Sequence, residues 1–103
     1  MDHLRYFFEY GVDTPLWPHD PDSPYGHPTE LARLPISPAL RAELSELADR
    51  YQSSLDVEYP PDPSPWPREE QDRFNAQARA ALVALRRELG PGWTVDDRFV
   101  PVD

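Results

Sequence analysis

The sequence predicts a two-layer α+β fold, in which two α-helices pack on a small antiparallel sheet of two or three strands formed with both termini. Three observations predict it. Apolar residues alternate near each end of the 103-residue chain, they recur with helical spacing in two internal segments, and prolines are concentrated between these segments. A chain of this length fits a single domain, residues 1–103.

The first strand is predicted over residues 4–10. Its apolar side chains alternate onto one face: Leu4, Tyr6, Phe8 and Tyr10. Aromatic side chains suit the half-buried surface of a sheet. Residues 13–35 carry six prolines and are predicted to form a long loop. A short third strand around Leu16 and Trp17, pairing with the first strand, is left open.

The first helix is predicted over residues 38–55, with Ser37 as N-cap and Pro38 at the first helical position. Its apolar side chains recur on one face: Leu40, Leu44, Leu47, Ala48, Tyr51 and Leu55. Residues 56–67 then contain five prolines, which predicts an extended connector, in part polyproline II.

The second helix is predicted over residues 66–89, and Gly90-Pro91-Gly92 ends it. Its apolar stripe is Phe74, Ala78, Ala81, Leu82, Leu85 and Leu89. A closing strand is predicted over residues 93–100. Asp97 interrupts the apolar alternation there, so we expect a bulge or an early end at that residue.

Composition narrows the function classes. The net charge is −9, with 19 acidic residues against 10 basic ones, all of them Arg. Residues 1–36 and 37–67 each carry −4, and residues 68–103 carry only −1. A surface this acidic repels nucleic acid, so direct nucleic-acid binding is not expected. We expect a protein partner with a basic surface.

The absence of cysteine excludes disulfides and thiolate metal sites. The N-terminus shows no signal-peptide pattern and no apolar run is long enough to span a membrane, so a cytoplasmic location and no membrane partner are expected. Nothing in the sequence indicates a cofactor, because a phosphate-binding glycine-rich loop is missing. The oligomeric state is left open between a monomer and a weak homodimer.

One group of side chains has metal-ligand chemistry: His19, Asp20, Asp22 and His27. These residues lie in a proline-rich segment without a metal-binding spacing, so we predict a solvated acidic loop and no metal site. The carboxylate pairs Glu69-Glu70 and Asp96-Asp97 are sequence neighbours that do not converge, and no serine lies in a nucleophile elbow. The chain is therefore predicted not to be an enzyme.

The acidic and aromatic residues of the two proline-rich loops are the candidates for partner binding, because aromatic anchors among carboxylates suit an interface with a basic protein. They are Asp13, Trp17, Asp20, Asp22, Tyr25, Asp56, Glu58, Tyr59 and Asp62.

The segment Arg-Glu-Leu-Gly-Pro-Gly-Trp-Thr-Val (87–95), after Arg73-Phe74-Asn75-Ala76 in a long helix, resembles small acidic proteins of actinobacteria. Such proteins are similar in character, by size and charge, to immunity proteins of polymorphic toxin systems. The resemblance covers about the C-terminal two thirds of the chain and implies no active-site residue. It implies an immunity-type inhibitor that covers a basic toxin surface. The alternative is a regulatory adaptor or DNA-mimic protein that binds a basic transcription or phage-defence factor.

Overall fold

The computed structural model describes residues 2–9, 11–19, 24, 26, 28–53 and 66–102. The elements in these ranges are β1 (Asp2–Tyr6), β2 (Leu16–Pro18), a 3-10 helix (Leu31–Arg33), α1 (Pro38–Ser53), α2 (Arg68–Leu89) and β3 (Trp93–Asp97). Two helices therefore pack on a three-stranded sheet, which confirms the α+β class and supplies the third strand. Neither α1 nor α2 is apolar enough over a sufficient length to cross a membrane.

The sheet is mixed, so the prediction of a purely antiparallel sheet is wrong. The strand order is β2-β1-β3, with β2 antiparallel and β3 parallel to the central β1. Parallel neighbours need a long crossover, and here the whole segment from β2 to α2 separates β1 from β3. This segment is long enough to return the chain to the end of the sheet where β1 begins, so β3 runs in the same direction as β1.

The observed strands are shorter than the predicted ones. In the register of the sheet, Asp2 lies opposite Trp93 and Tyr6 opposite Asp97, so β1 begins before residue 4 and ends before Phe7. Beyond Tyr6 the amide of Phe7 still donates to Pro15 O at 2.9 Å, but Pro15 has no amide hydrogen to return the second bond of the pair. β3 ends at Asp97, the residue expected to interrupt it.

Local signals position both helices. The amide of Leu40 donates to Ser37 Oγ at 3.1 Å, so Ser37 caps α1 as predicted. α2 begins at Arg68, two residues later than predicted, after extended Pro67. It ends at Gly90, whose φ of +79° lies in the region that favours glycine and whose amide donates to Arg86 O at 3.1 Å.

The core lies between the inner face of the sheet and the two helices. It joins Leu4, Tyr6, Phe8, Leu16 and Val95 of the sheet side to Leu40, Leu44, Leu47 and Ala48 of α1 and Phe74, Ala78, Ala81, Leu82, Leu85 and Leu89 of α2. The Tyr6 hydroxyl crosses this core and donates to Ala78 O at 2.7 Å. The apolar stripes read from the sequence thus face the core.

Backbone carbonyls on the outward side of both outer strands accept hydrogen bonds. On β2, Leu16 O accepts the amide of Thr29 at 2.9 Å, and Pro18 O accepts the Arg5 guanidinium at 3.1 Å. On β3, Val95 O accepts two hydrogen bonds from Arg86, at 2.6 and 3.2 Å. Side chains and a loop therefore occupy positions that another strand would use.

Candidate partner-binding surface

A groove runs between α1 and the segments on either side of β2. It has a volume of about 770 Å³ and is open to solvent along its length. Its polar lining comes from Asp13, Thr14, Thr29, Glu30, Arg41 and Ser45. We call this feature the α1 groove. The groove is open to solvent, unlike the enclosed pockets that usually hold small ligands.

Gln52 fixes the loop that carries Asp13. Its Oε1 accepts the amide of Gly11 at 2.7 Å, and its Nε2 donates to Glu9 O and Val12 O, both at 3.2 Å. Gly11 has a φ of +76°, which a side chain would strain. One α1 side chain thus positions the wall of the groove on which Asp13 lies.

Two buried polar atoms at the α1 groove have no hydrogen-bond partner among the described residues: Thr29 Oγ1 and Arg41 Nε. Thr29 is fully buried, and the Arg41 guanidinium donates to Ile36 O at 3.1 Å through Nη2. Glu30, which also lines the groove, pairs with Arg33 at 2.5 Å. Asp13 and Glu30 are exposed and place carboxylate acceptors at the rim of the groove.

The solvent side of α1 is acidic. Glu43, Glu46 and Asp49 follow one another at intervals of three residues, which places them on one side of the helix, and all three are exposed. Arg50 lies beside them and donates to Gln77 of α2. We call Glu43, Glu46 and Asp49 the α1 acidic stripe. Together with Asp13 and Glu30 at the groove, it presents carboxylates on neighbouring surfaces.

The face of the sheet turned away from the helices carries aromatic and charged side chains. Phe7 and Trp17 stack with ring centroids 5.0 Å apart and planes 5° apart. The Arg5 guanidinium lies 6.0 Å from the Phe7 ring centroid, within cation–π range. These side chains are half-buried. The three side chains lie together on this outer sheet face.

A second group lies on the same outer sheet face, where His3, His19 and Asp96 converge. Asp96 Oδ2 is 2.9 Å from His3 Nε2 and 3.2 Å from His19 Nε2, and the two imidazole centroids are 3.7 Å apart. Hydrogen bonds from His3 and His19 hold the pKa of the Asp96 carboxyl below its usual value. One carboxylate thus bridges side chains from three segments of chain.

Of the nine predicted binding residues, the structure describes two. Asp13 lines the α1 groove and Trp17 lies on the outer sheet face. The other seven lie outside the described residues: Asp20, Asp22, Tyr25, Asp56, Glu58, Tyr59 and Asp62. Of the suspected metal cluster, His19 is described, and Asp20, Asp22 and His27 lie outside the described residues as well.

The structure adds two groups that the set of candidates did not contain. The α1 acidic stripe was readable from its three-residue spacing, although the candidates were drawn from loops alone. The meeting of His3 and His19 with Asp96 depends on the register of three strands, and Asp96 lies 77 residues from His19. The alternation of side chains along a strand predicts only that His3 lies on the opposite face of the sheet from Leu4.

Comparison with known proteins gives one family. The model of the Serratia CdiI immunity protein-like family matches residues 2–97, which include every strand and helix of the structure. A comparison with curated proteins gives no match. The matched region runs from the first residue of β1 to the last residue of β3. The chain therefore belongs to the Serratia CdiI immunity protein-like family.

Proposed function

We propose that this protein is an immunity-type inhibitor, which binds a cognate toxin and blocks it by covering a basic surface. The observation that carries the proposal is the family match over residues 2–97. The proposal assigns no catalytic step to the chain, because steric occlusion and charge complementarity suffice for inhibition. It also retains the cytoplasmic location that the sequence predicts.

Charge supports a basic partner. The chain carries −9 in total. Opposite fields speed the encounter of two proteins and suppress wrong partners. On the described residues, exposed carboxylates are found on the α1 acidic stripe and at the α1 groove. We propose that these two features form the described part of the toxin-binding surface.

Preorganisation supports the same surface. The α1 acidic stripe is built on a regular helix, and Gln52 fixes the loop that carries Asp13. Binding then orders little additional backbone, so less free energy is lost on association. We propose that Trp17 and the seven candidates outside the described residues extend this surface.

The proposal is tested with the product of the reading frame next to the gene, as the candidate toxin. Co-expression should restore growth that this toxin prevents when it is expressed alone. Binding of the two purified proteins is then measured at several salt concentrations. A toxin that is harmless alone, or that does not bind, contradicts the proposal, and capture of a transcription factor in its place favours the adaptor alternative.

The double variant Glu46→Gln/Asp49→Asn tests the surface. It preserves side-chain shape and removes two charges from the α1 acidic stripe. We expect the association rate at low salt to fall about tenfold and to depend less on salt, because charge steering acts mainly on association. The matched control is Glu69→Gln/Asp72→Asn, which removes two charges from the start of α2. An equal effect of both variants would show that only net charge matters.

A further inference from the structure

We propose that His3, His19 and Asp96 form a binding site for a divalent transition-metal ion of the Zn²⁺ class. The proposal concerns the outer sheet face alone and does not depend on the proposed function. It rests on the convergence of three ligand atoms, one each from His3, His19 and Asp96, which all lie within 4.8 Å of one another.

The fold brings these residues together through strand register. His3 is on the central strand and points away from the core, opposite to the buried Leu4. The amide of His19, directly after β2, donates to His3 O at 3.3 Å. Asp96 comes from the other neighbour, β3, two residues beyond the partner of His3. The three ligands thus sit on backbone that the sheet holds in place.

Asp96 forms its ion pairs with the two histidines and not with the arginine opposite it in the sheet. Arg5 is its direct partner in the register of β1 and β3. The Arg5 guanidinium nevertheless contacts Pro18 O and the Phe7 ring, while the Asp96 carboxylate bridges both imidazoles. Within the described ranges, the recorded ion pairs of Asp96 are with these two histidines. The carboxylate is therefore directed at nitrogen ligands.

The distances fit a metal ion as a shared centre. Zn–N and Zn–O bonds of about 2.0–2.2 Å in a tetrahedral arrangement place neighbouring ligand atoms about 3.4 Å apart. The two nitrogen–oxygen distances of 2.9 and 3.2 Å are slightly shorter than this separation. Binding would replace the hydrogens that the two Nε2 atoms share with Asp96 Oδ2, so that two imidazole nitrogens and one carboxylate oxygen donate to one cation and protons are released to solvent.

The ligand atoms and their exposure narrow the choice of metal ion. Two imidazole nitrogens with one carboxylate oxygen suit Zn²⁺, Co²⁺, Ni²⁺ or Cu²⁺ better than Mg²⁺ or Ca²⁺, which prefer oxygen. The side chains are 40%, 43% and 33% exposed for His3, His19 and Asp96. Three protein ligands at a solvent-accessible position leave room for a water molecule as the fourth.

The test is titration of the tag-free full chain with ZnCl₂ in a calorimeter. We expect one ion per chain, and affinity that falls at least about tenfold in each of His3→Gln, His19→Gln and Asp96→Asn, because each removes one ligand. The matched control is Asp72→Asn, an exposed carboxylate of α2, which should bind as the unchanged protein does. Far-UV circular dichroism checks that each variant is folded.

A second measurement gives an independent readout. Zn²⁺ that binds the folded state should raise the Tm of the unchanged protein and of Asp72→Asn, but not that of Asp96→Asn. Co²⁺ should give the visible absorption of a nitrogen- and oxygen-ligated ion, which is lost in His19→Gln. No heat and no Tm shift with Zn²⁺, or equal affinity in all four variants, would overturn the proposal.

Discussion

At the scale of single residues, Tyr6 joins the sheet to α2. Its side chain is fully buried and its hydroxyl donates to Ala78 O at 2.7 Å. Burial, with smaller contributions from Glu43 and Asp97, raises the pKa of Tyr6 far above its usual value. The folded state therefore favours the neutral phenol, and ionisation opposes folding.

The consequence for pH follows from linkage. A tyrosine in the unfolded chain ionises at about pH 10. Because the folded-state pKa is higher, the stabilisation by Tyr6 is complete below that pH and is lost as the pH rises above it. We expect the free energy of unfolding, measured by urea denaturation, to fall more steeply above about pH 10 than a chain without this tyrosine would show.

Tyr6→Phe tests this assignment. At pH 7 it should lower the free energy of unfolding by about 1 kcal/mol, because one buried hydrogen bond is lost. Above about pH 10 it should flatten the alkaline fall. Tyr51 serves as the matched control, since it is only half-buried, although burial raises its pKa as well. Tyr51→Phe should retain most of the fall; a full alkaline fall in Tyr6→Phe would contradict the assignment.

At the scale of elements, the Asn75 side chain of α2 is hydrogen-bonded to the chain that follows β3. Its Nδ2 donates to Val102 O at 2.9 Å and its Oδ1 accepts the amide of Val102 at 2.8 Å. The amide side chain thus pairs with a backbone as a strand would, and it does so from a nearly buried position. This explains a polar residue inside the apolar stripe of α2.

Asn75→Ala should therefore release this segment. We expect a loss of about 1–3 kcal/mol in the free energy of unfolding, because both hydrogen bonds of a buried amide are removed. Hydrogen exchange should show faster exchange of the Val102 amide. The control Arg73→Ala, at an exposed position of α2 two residues before Asn75, should cost about 0.5 kcal/mol or less and leave the Val102 amide protected. Unchanged exchange in Asn75→Ala would contradict this role.

Elements with local signals were readable from the sequence. The stripe from Leu40 to Ala48, the Ser37 cap and the Gly90 stop each depend on residues within a few positions of one another. The parallel pairing of β1 and β3 depends on how the whole intervening chain folds, and the sequence reasoning chose the wrong direction. Trp17 was chosen as a partner-binding candidate because of its residue type. His3 and Asp96 could not be recognised as neighbours, because their proximity follows from the parallel pairing of β1 and β3.

At the scale of the molecule, one aromatic cluster joins all layers. Phe74 of α2 has ring centroids at 5.3 Å from Phe8, 5.4 Å from Trp66, 6.1 Å from Tyr51 and 6.4 Å from Phe99. Such edge and tilted contacts add to the gain from burial. Phe74 therefore links residues from both helices, from the chain after β1 and from the chain after β3.

Phe74→Ala should destabilise the entire fold. A loss of about 3–5 kcal/mol is expected for a buried phenylalanine. That is a large share of the roughly 5–15 kcal/mol that stabilises an ordinary domain. Urea denaturation followed by circular dichroism measures it. The control is Val83→Ala on the same helix. Val83 is 55% exposed, so this change should alter the free energy of unfolding by about 0.5 kcal/mol or less. Comparable losses in both variants would place the core elsewhere.

The occupied outward positions of the sheet bear on how copies of the protein meet. Amyloid-like growth and strand-swapped dimers begin when one chain adds a strand to a free edge of another. Here Leu16 O and Val95 O already accept hydrogen bonds from Thr29 and Arg86, and Pro18 has no amide hydrogen to offer. Copies of this chain should therefore be slow to polymerise through these edges, because an added strand would have to displace the existing hydrogen bonds.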